Sequence, residues 1–173
     1  MLDAARRLVG ERGAEAVTTD DIAAAAGVGK GTLFRRFGSR AGLMVDLLDE
    51  DEKAHQQAFL FGAPPLGPGA PPLERLLAYG RERLKFVDTH HALLADVSRD
   101  PQMRFSPPIT LHHSHIRFLL ETAGSTGDLR TQATALLALL DAGYVHHERH
   151  ERGRTLLELG DAWETVARKL CGS

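Results

Sequence analysis

Residues 18–43 read TTDDIAAAAGVGKGTLFRRFGSRAGL, and this stretch predicts two short helices joined by a tight turn. Thr18 is a good N-cap for a first helix over 19–26. Gly27 ends that helix, because glycine readily adopts the left-handed backbone that such a turn requires. A second helix over 30–37 has its apolar residues on one side and its arginines off that side. This order of elements predicts a helix-turn-helix.

The second helix carries the residues that binding to DNA requires. A recognition helix has to be narrow and polar on its outer side to enter a major groove about 12 Å wide. Residues 30–40 contain four basic side chains and no acidic one. The first turn, Lys30-Gly31-Thr32, combines backbone N–H groups with side chains that can face DNA. The same charges also fit a solvated surface helix without a partner, so charge alone leaves both interpretations open.

The stretch resembles the DNA-binding signature of the TetR family, written loosely as T-x-x-x-I-A-x-x-A-G-V-x-x-G-T-[LI]-[YF]-x-x-F-x-[SN]-[KR]-x-x-L. The positions that match in register are Thr18, Ile22, Ala23, Ala26, Gly27, Val28, Gly31, Thr32, Leu33, Phe34, Phe37, Ser39, Arg40 and Leu43. Carried over by position, the DNA contacts of the family fall on Thr19, Lys30, Gly31, Thr32, Phe34, Arg35, Arg36 and Arg40. Phe34 stands where the family usually has tyrosine, so a hydroxyl that could bind phosphate is absent.

The resemblance also implies the architecture of the whole chain. We expect an all-α protein with an N-terminal three-helix helix-turn-helix DNA-binding domain over 1–45. A C-terminal helical domain over 46–173 is expected to bind a ligand and to dimerise. Residues 1–45 carry seven basic and five acidic side chains, and the remaining residues carry fourteen and eighteen. A locally basic face on an otherwise acidic chain is what phosphate binding requires.

Hydrophobic periodicity predicts about nine helices and no strand in the 173 residues. One helix is predicted over 128–150 and another over 155–171. Residues 62–72 hold five of the eight prolines, so this segment is predicted to be a surface loop. No apolar run approaches the roughly 20 residues that span a bilayer. The start of the sequence lacks the pattern of a signal peptide, and the single Cys171 fits a reducing compartment. We therefore expect a cytoplasmic protein.

The helices predicted over 128–150 and 155–171 each present a small and apolar face. The resemblance implies that they pair with those of a second copy in a four-helix bundle, which makes a homodimer. A dimer presents two recognition helices to the two halves of a palindromic site. The alternative is that both faces complete the core of one chain. The predicted interface residues are Leu136, Leu140, Gly143, Leu159, Trp163, Val166 and Leu170.

The resemblance further implies a ligand pocket enclosed by the helices between about residues 46 and 125. Aromatic and long apolar side chains there would suit an apolar or mixed organic compound, and histidines could supply polar groups. The candidate ligand-binding residues are Phe59, Tyr79, Phe86, Met103, Phe105, His112, His115 and Phe118. No cofactor is expected, and the effector is an unidentified small molecule.

These features together predict a ligand-responsive transcriptional regulator and not an enzyme. We expect a repressor that a small molecule releases from a palindromic operator in double-stranded DNA. Two alternatives remain. The spacing of His112 with His115 and of His147 with His150 allows a metal site, so the chain could be a metal-dependent enzyme or sensor. The helix-turn-helix could also belong to an interaction module that does not bind DNA.

Overall fold

The computed structural model describes residues 1–98, 100 and 106–172. These residues form ten α-helices and one 3-10 turn and contain no strand, which confirms the predicted all-α class. None of the described helices combines the length and the apolar character needed to cross a membrane. The elements are α1 (Leu2–Arg12), the 3-10 turn (Ala14–Ala16), α2 (Thr19–Ala25), α3 (Lys30–Phe37), α4 (Arg40–Phe61), α5 (Pro72–Thr89), α6 (His91–Ser98), α7 (Pro107–Thr122), α8 (Leu129–Ala138), α9 (Ala142–His150) and α10 (Leu156–Leu170).

The first of two compact units consists of Met1–Asp51 together with α6. Its hydrophobic core lies among α1, α2, α3 and the first part of α4, and Leu93 and Val97 of α6 pack against that core. The domain expected over 1–45 did not include α6. The association of α6 with this unit depends on packing between residues that are far apart in sequence, which the sequence pattern does not show. The buried core residues are Ala5, Leu8, Val17, Ile22, Ala23, Leu33, Phe37, Leu43, Met44 and Leu47.

Local hydrogen bonds fix the turn of the helix-turn-helix. The Thr18 hydroxyl accepts a hydrogen bond from the Asp21 backbone N–H at 3.1 Å, and the Asp21 carboxylate accepts one from the Thr18 N–H at 2.9 Å. This capping box satisfies N–H groups that the start of α2 would otherwise leave unpaired. Gly27 has a φ of +66°, the left-handed conformation expected of it. The start of α2 and the turn that leads into α3 are therefore determined by neighbouring residues.

The second unit contains Glu52–Thr89 and the chain from α7 onward. Its central helix is α5, which packs against α7, α9 and α10, and α8 packs against α7 and α10. The helix α4 is continuous over 22 residues, and the division between the units falls after Asp51. One helix therefore contributes residues to both units. Fully buried aliphatic side chains of the second unit include Leu76, Ile116, Leu119, Leu120, Leu136 and Val145.

The single helix predicted over 128–150 is wrong, because the structure divides it into α8 and α9. The chain turns at Leu139 and Leu140, and Asp141 then begins α9 as its N-cap. The Asp141 carboxylate accepts hydrogen bonds from the N–H groups of Gly143 at 2.9 Å and Tyr144 at 3.1 Å. An aspartate in this position favours a helix start, but apolar periodicity continues across it and hides the break. The division accounts for ten described helices where about nine were expected.

Four of the predicted dimer contacts lie in the core of a single chain, which corrects that part of the prediction. Leu136, Leu140, Leu159 and Trp163 are all buried within the second unit. The Trp163 indole N–H donates to the Leu136 carbonyl oxygen at 3.0 Å, so the apolar faces of α8 and α10 are used against each other and against α5. The other three predicted contacts remain predictions: Gly143 is exposed, Val166 is 36% exposed and Leu170 is half-buried.

The packing of α5 on α10 depends on the absence of a side chain at Gly80. A Cβ atom built there would overlap the Trp163 indole ring. We expect Gly80→Ala to lower the free energy of unfolding by about 1–3 kcal/mol, because overpacking forces the ring and its neighbours to shift. Chemical denaturation followed by tryptophan fluorescence measures this change. The matched control is Gly10→Ala in α1, where a Cβ meets open space and alanine should stabilise the helix by about 0.5–1 kcal/mol. Equal losses in both variants would contradict the prediction.

Candidate functional site

The helix α3 has one buried side and one exposed side. Leu33 is fully buried and Phe37 is nearly so, which anchors the inner side on the core of the first unit. The outer side is open to solvent, as a recognition helix requires. Of the predicted DNA contacts, Lys30, Gly31, Phe34, Arg35 and Arg36 are exposed, and Thr19 and Thr32 are half-buried. Contact with DNA stays a prediction for these seven residues.

The polar side chains of this surface make weak contacts with their neighbours. The Lys30 Nζ atom lies 2.8 Å from a carboxylate oxygen of Asp20, and the two side chains are 56% and 64% exposed. Such an exposed pair contributes only about 0.2–1 kcal/mol, so a phosphate group can compete for Lys30. Arg35 donates to the Thr32 hydroxyl at 3.2 Å, also at the surface. These charges are therefore available to an anionic partner.

The first turn of α3 suits the close approach of a phosphate group. The first N–H groups of a helix have no partners within it, and they lie at the positive end of the helix dipole. Gly29 is the N-cap and offers no side chain to accept from these groups. At Gly31 a Cβ would have no atom within 4 Å, so the backbone is open on that side. Lys30 adds a charged donor to the same turn.

Arg40 is half-buried and is held by contacts inside the first unit, so its predicted contact with DNA stays a prediction. Its guanidinium donates to the Asp96 carboxylate at 2.7 Å, to the Ala14 carbonyl oxygen at 2.7 Å and to the Val17 carbonyl oxygen. The Asp96 side chain is only 10% exposed, so this ion pair is largely protected from solvent. Because the three acceptors occupy the guanidinium, Arg40 holds the 3-10 turn and α6 on the start of α4.

A network of four polar side chains lies inside the second unit. The His112 Nε2 atom is 2.6 Å from the Glu52 carboxylate, and the Tyr79 hydroxyl is 2.8 Å from His112 Nδ1. Arg83 donates to the other Glu52 oxygen at 2.8 Å, and the half-buried Gln56 amide also donates to the carboxylate at 2.9 Å. The ionised carboxylate can only accept, so His112 donates through Nε2 and accepts from Tyr79 through Nδ1. Every one of these interior polar groups therefore has a partner.

The network balances its charges around a neutral histidine. Burial lowers the pKa of His112 and outweighs its hydrogen bond to Glu52, which would raise the pKa. Burial would raise the pKa of Glu52, but the hydrogen bond from His112 and the charge of Arg83 hold this pKa well below its ordinary value. At neutral pH the interior thus contains one ion pair, Glu52 with Arg83. Burial also raises the pKa of Tyr79, so its hydroxyl stays protonated.

Two further histidines lie beside the network without hydrogen-bond partners at Nε2. Burial lowers the pKa of His55 to about 3, with a further contribution from the charge of Arg83. Burial also lowers the pKa of His115 to about 4, and the charge of Arg75 adds to this effect. The Nε2 atoms of both histidines and the Nε atom of Arg75 are buried, and none has a partner in the described part of the chain. These three groups have unused capacity for hydrogen bonding.

Aromatic rings surround these polar groups. The Phe59 ring centre lies 4.4 Å from that of His115 and 5.4 Å from that of Tyr79. His55 stacks on Phe86, with 5.2 Å between the ring centres. The structure thus brings together five residues of the predicted ligand site: Phe59, Tyr79, Phe86, His112 and His115. Their contact with a ligand stays a prediction.

The predicted role of Phe118 in this interior is wrong, because its side chain is 49% exposed. At roughly 3.6 residues per turn, Phe118 lies about 120° around α7 from His112, outside the buried arc of the helix. The buried side of α7 carries His112, His115, Ile116, Leu119 and Leu120. The predicted ligand residues Met103 and Phe105 lie outside the described residues.

Four residues of the interior cluster were not predicted from the sequence: Glu52, His55, Arg75 and Arg83. Helical spacing offered a signal for them. Glu52 and His55 stand seven and four residues before Phe59, and Arg75 and Arg83 stand four residues either side of Tyr79. Residues that are four or seven positions apart share one face of a helix. A charged residue at this spacing from a buried aromatic residue is therefore expected to lie on the buried face. That pattern was available on α4 and α5.

The two histidine pairs considered for a metal site lie in different surroundings. His112 and His115 are buried on α7, whereas His147 and His150 are exposed on α9. His112 is bonded to Glu52, and His147 lies 2.9 Å from the Glu151 carboxylate. Among the described residues, no group of three or more His, Cys, Asp or Glu side chains is arranged to hold a metal ion.

A surface cavity of about 520 Å³ lies where the proline-rich connection meets α5 and α10. It is lined by Pro64 and Pro65 and by the charged side chains Arg81, Lys85 and Glu164 among others. Arg81 donates to Glu164 and to Asp161, and Lys85 donates to Glu82 at 2.7 Å. The cavity therefore has few unsatisfied groups to offer a ligand, in contrast to the interior cluster.

The exposed basic helix α3 is anchored by buried side chains within a helix-turn-helix, and the chain continues into a second helical unit. This combination defines a class of DNA-binding proteins. Residues 1–47 match the family model described as bacterial regulatory proteins, tetR family. These residues therefore resemble the DNA-binding part of that family, and the chain has the fold of a TetR-like transcriptional regulator. The recognition of this family from residues 18–43 is confirmed. No curated protein shows significant sequence similarity to the chain.

Solved structures of similar fold extend the likeness over the whole length. A TetR-like transcriptional regulator from Rhodococcus sp. RHA1 is 26% identical with a TM-score of 0.63, covering 99% of this chain and 94% of its own. A second TetR transcriptional regulator from the same organism is 20% identical with a TM-score of 0.66, covering 99% and 92%. A putative transcriptional regulator from Saccharomonospora viridis in complex with choline is 21% identical with a TM-score of 0.61, covering 95% and 91%. The latter two show the fold alone.

Proposed function

We propose that this protein is a transcriptional repressor that binds a palindromic operator as a homodimer and is released by a small molecule. The observation that carries the proposal is the exposed basic turn of α3 above its buried anchors, Leu33 and Phe37. Lys30, Arg35 and Arg36 would bind phosphate groups or base edges, and α3 would lie in the major groove. The protein would act in the cytoplasm, and it would not be an enzyme.

The interior cluster of the second unit is the proposed effector site. Its aromatic rings supply apolar surface, and the unpartnered Nε2 atoms of His55 and His115 supply polar groups that can fix the orientation of a ligand. The helix α4 carries Glu52, His55 and Phe59 of this site, and it begins directly after the helix-turn-helix. A ligand that shifts α4 would therefore act on both units. A coupling of about 1–3 kcal/mol would change operator affinity roughly 5- to 150-fold.

The homodimer would form through the second unit. Gly143, Val166 and Leu170 remain the proposed contacts, since their side chains or backbone are at least partly accessible. Two copies of α3 would then face half-sites about 34–36 Å apart along the duplex. The four predicted contacts that are buried in the chain would support this interface from beneath without touching the partner.

Selection of bound sequences from random duplex DNA tests the proposed function. We expect a palindromic consensus whose half-sites are separated by about one helical turn. Binding to the recovered duplex should also weaken as salt rises, with log affinity falling by roughly 0.9 per neutralised phosphate for each unit of log salt. A single non-repeated half-site would contradict the dimer, and failure to enrich any sequence together with a flat salt response would favour the interaction module.

A further inference from the structure

We propose that the effector is an apolar carboxylic acid whose carboxylate binds Arg75 and His115 inside the second unit. This inference rests on the proposed function, since it concerns the effector site of the same regulator. Its starting point is an imbalance among the interior polar groups. The Glu52, His112, Tyr79 and Arg83 network is complete, whereas Arg75 and His115 are not.

Arg75 is a cation without an acidic partner in the described part of the chain. Its Nη2 atom donates to the Phe59 carbonyl oxygen at 3.3 Å, and its Nε atom is buried without a hydrogen bond. A neutral carbonyl does not compensate the positive charge, and a half-buried guanidinium forms stronger hydrogen bonds to a carboxylate than to a carbonyl. A carboxylate would supply the negative charge that Arg75 lacks among the described residues.

His115 offers a second polar group next to Phe59, the residue whose carbonyl accepts from Arg75. The residue is only 5% exposed, and its Nε2 atom is buried without a partner. Phe59 links the two groups, because its carbonyl accepts from Arg75 while its ring packs 4.4 Å from the His115 ring. Burial lowers the pKa of His115, and the charge of Arg75 lowers it further. A carboxylate between them would accept from both and would offset the charge that now disfavours a proton on His115.

The rest of the cluster selects the remainder of the effector. Phe59, Tyr79, His55 and Phe86 present ring surfaces to the interior, which suits an aromatic or aliphatic body. A cationic ligand would meet the uncompensated charge of Arg75, and the only carboxylate of the cluster, Glu52, already accepts from His112, Arg83 and Gln56. An uncharged ligand would leave Arg75 without a counter-charge. The site would therefore select among ligands first by their charge and then by how well their apolar part fits the rings.

The rings are in contact in this structure, so the effector has to separate them as it enters. The space opens most directly between Phe59 and His115, which lie on α4 and α7. A shift of Phe59 is a shift of α4, the helix that follows the helix-turn-helix. The same event that accommodates the carboxylate would therefore alter the operator-binding form of the dimer.

Calorimetric titration of the full chain with matched probes tests this inference. The probes are phenylacetate and octanoate, the amides of both acids, and choline as a cation. We expect at least one acid to bind and to bind at least tenfold more tightly than its amide, with no binding of choline. Equal affinity of acid and amide, preferential binding of choline, or absence of binding by both acids would overturn the proposal.

Two variants assign the binding to the named residues. Arg75→Met should weaken binding of the acid at least tenfold and leave binding of the amide unchanged, whereas the exposed control Arg152→Met should change neither. His115→Phe keeps a ring of similar size and should weaken the acid several-fold, and it carries the test if Arg75→Met does not fold. Unchanged acid binding in both variants would refute the assignment. If the acid binds but no DNA sequence is recovered in the selection, the proposed function fails and this site stands. If an operator is recovered but neither acid binds, the proposed function stands and the proposed effector site fails.

Discussion

Replacing Glu52 with glutamine should lower the free energy of unfolding by about 3–5 kcal/mol, the usual cost of breaking a buried ion pair by removing one partner. Glu52 is the sole acid that the network gives to Arg83, whose side chain is only 5% exposed. Glutamine keeps the volume but leaves the guanidinium as an uncompensated interior charge. It also places an amide where His112 now donates to an ionised oxygen.

Denaturation with urea, followed by the fluorescence of Trp163, measures this loss in the unit that contains the network. Glu121→Gln is the control, because Glu121 is exposed on α7 and the same change there should cost less than about 0.5 kcal/mol. The double variant Glu52→Leu with Arg83→Met removes both charges and should recover much of the lost stability. If the double variant is less stable than Glu52→Gln, the burial of an unpaired charge is not the cause.

Replacing Lys30, Arg35 and Arg36 together with alanine should weaken operator binding about 100- to 1,000-fold near 0.1 M salt, because phosphate contacts supply much of the affinity. The slope of log affinity against log salt should become shallower by roughly 0.9 for each lost phosphate contact. The three side chains are exposed and none supports the core, so unfolding by urea should be unchanged. Fluorescence anisotropy with the duplex recovered by selection measures both quantities.

Two controls separate this effect from a general loss of positive charge. Arg117, Arg130 and Arg152 are exposed in the second unit, and their replacement by alanine should weaken binding only slightly. Asp20→Asn removes the acid that pairs with Lys30 and should strengthen binding several-fold, since a like charge opposes phosphate. Equal losses from both triple variants would mean that α3 has no special role.

Local signals in the sequence predicted the DNA-binding part well. Thr18 and Gly27 determine helix ends through their own hydrogen bonds and backbone conformation, so their roles follow from a few neighbouring residues. Arg40 could not be assigned in this way. Its acceptor Asp96 lies 56 residues further along the chain, and spacing within one helix gives no information about such a partner. A basic residue beside a recognition helix looks the same in sequence whether it binds phosphate or closes the fold.

The second unit was harder to predict for a related reason. Apolar periodicity identified the faces of α8 and α10 that carry Leu136 and Trp163, but it could not tell whether α5 or a second copy covers them. The fact that Gly80 gives room for the indole decides this in favour of α5. Likewise the spacing on α7 brought His112 and His115 together, whereas their polar neighbours come from α4 and α5. A single sequence shows which face of a helix is apolar, but it does not show which other helix packs against that face.

The three-way bonding of Arg40 affects how loss-of-function variants of this protein should be interpreted. A genetic screen for failed repression would recover substitutions at Arg40 as readily as at Lys30, although only Lys30 faces solvent beside the recognition turn. Lysine would not rescue Arg40, because a single ammonium group cannot serve acceptors on Asp96, Ala14 and Val17 in the geometry of the planar fork. Protein abundance therefore has to be measured alongside repression. Otherwise variants that unfold the first unit would be mistaken for variants that lose a contact with the operator.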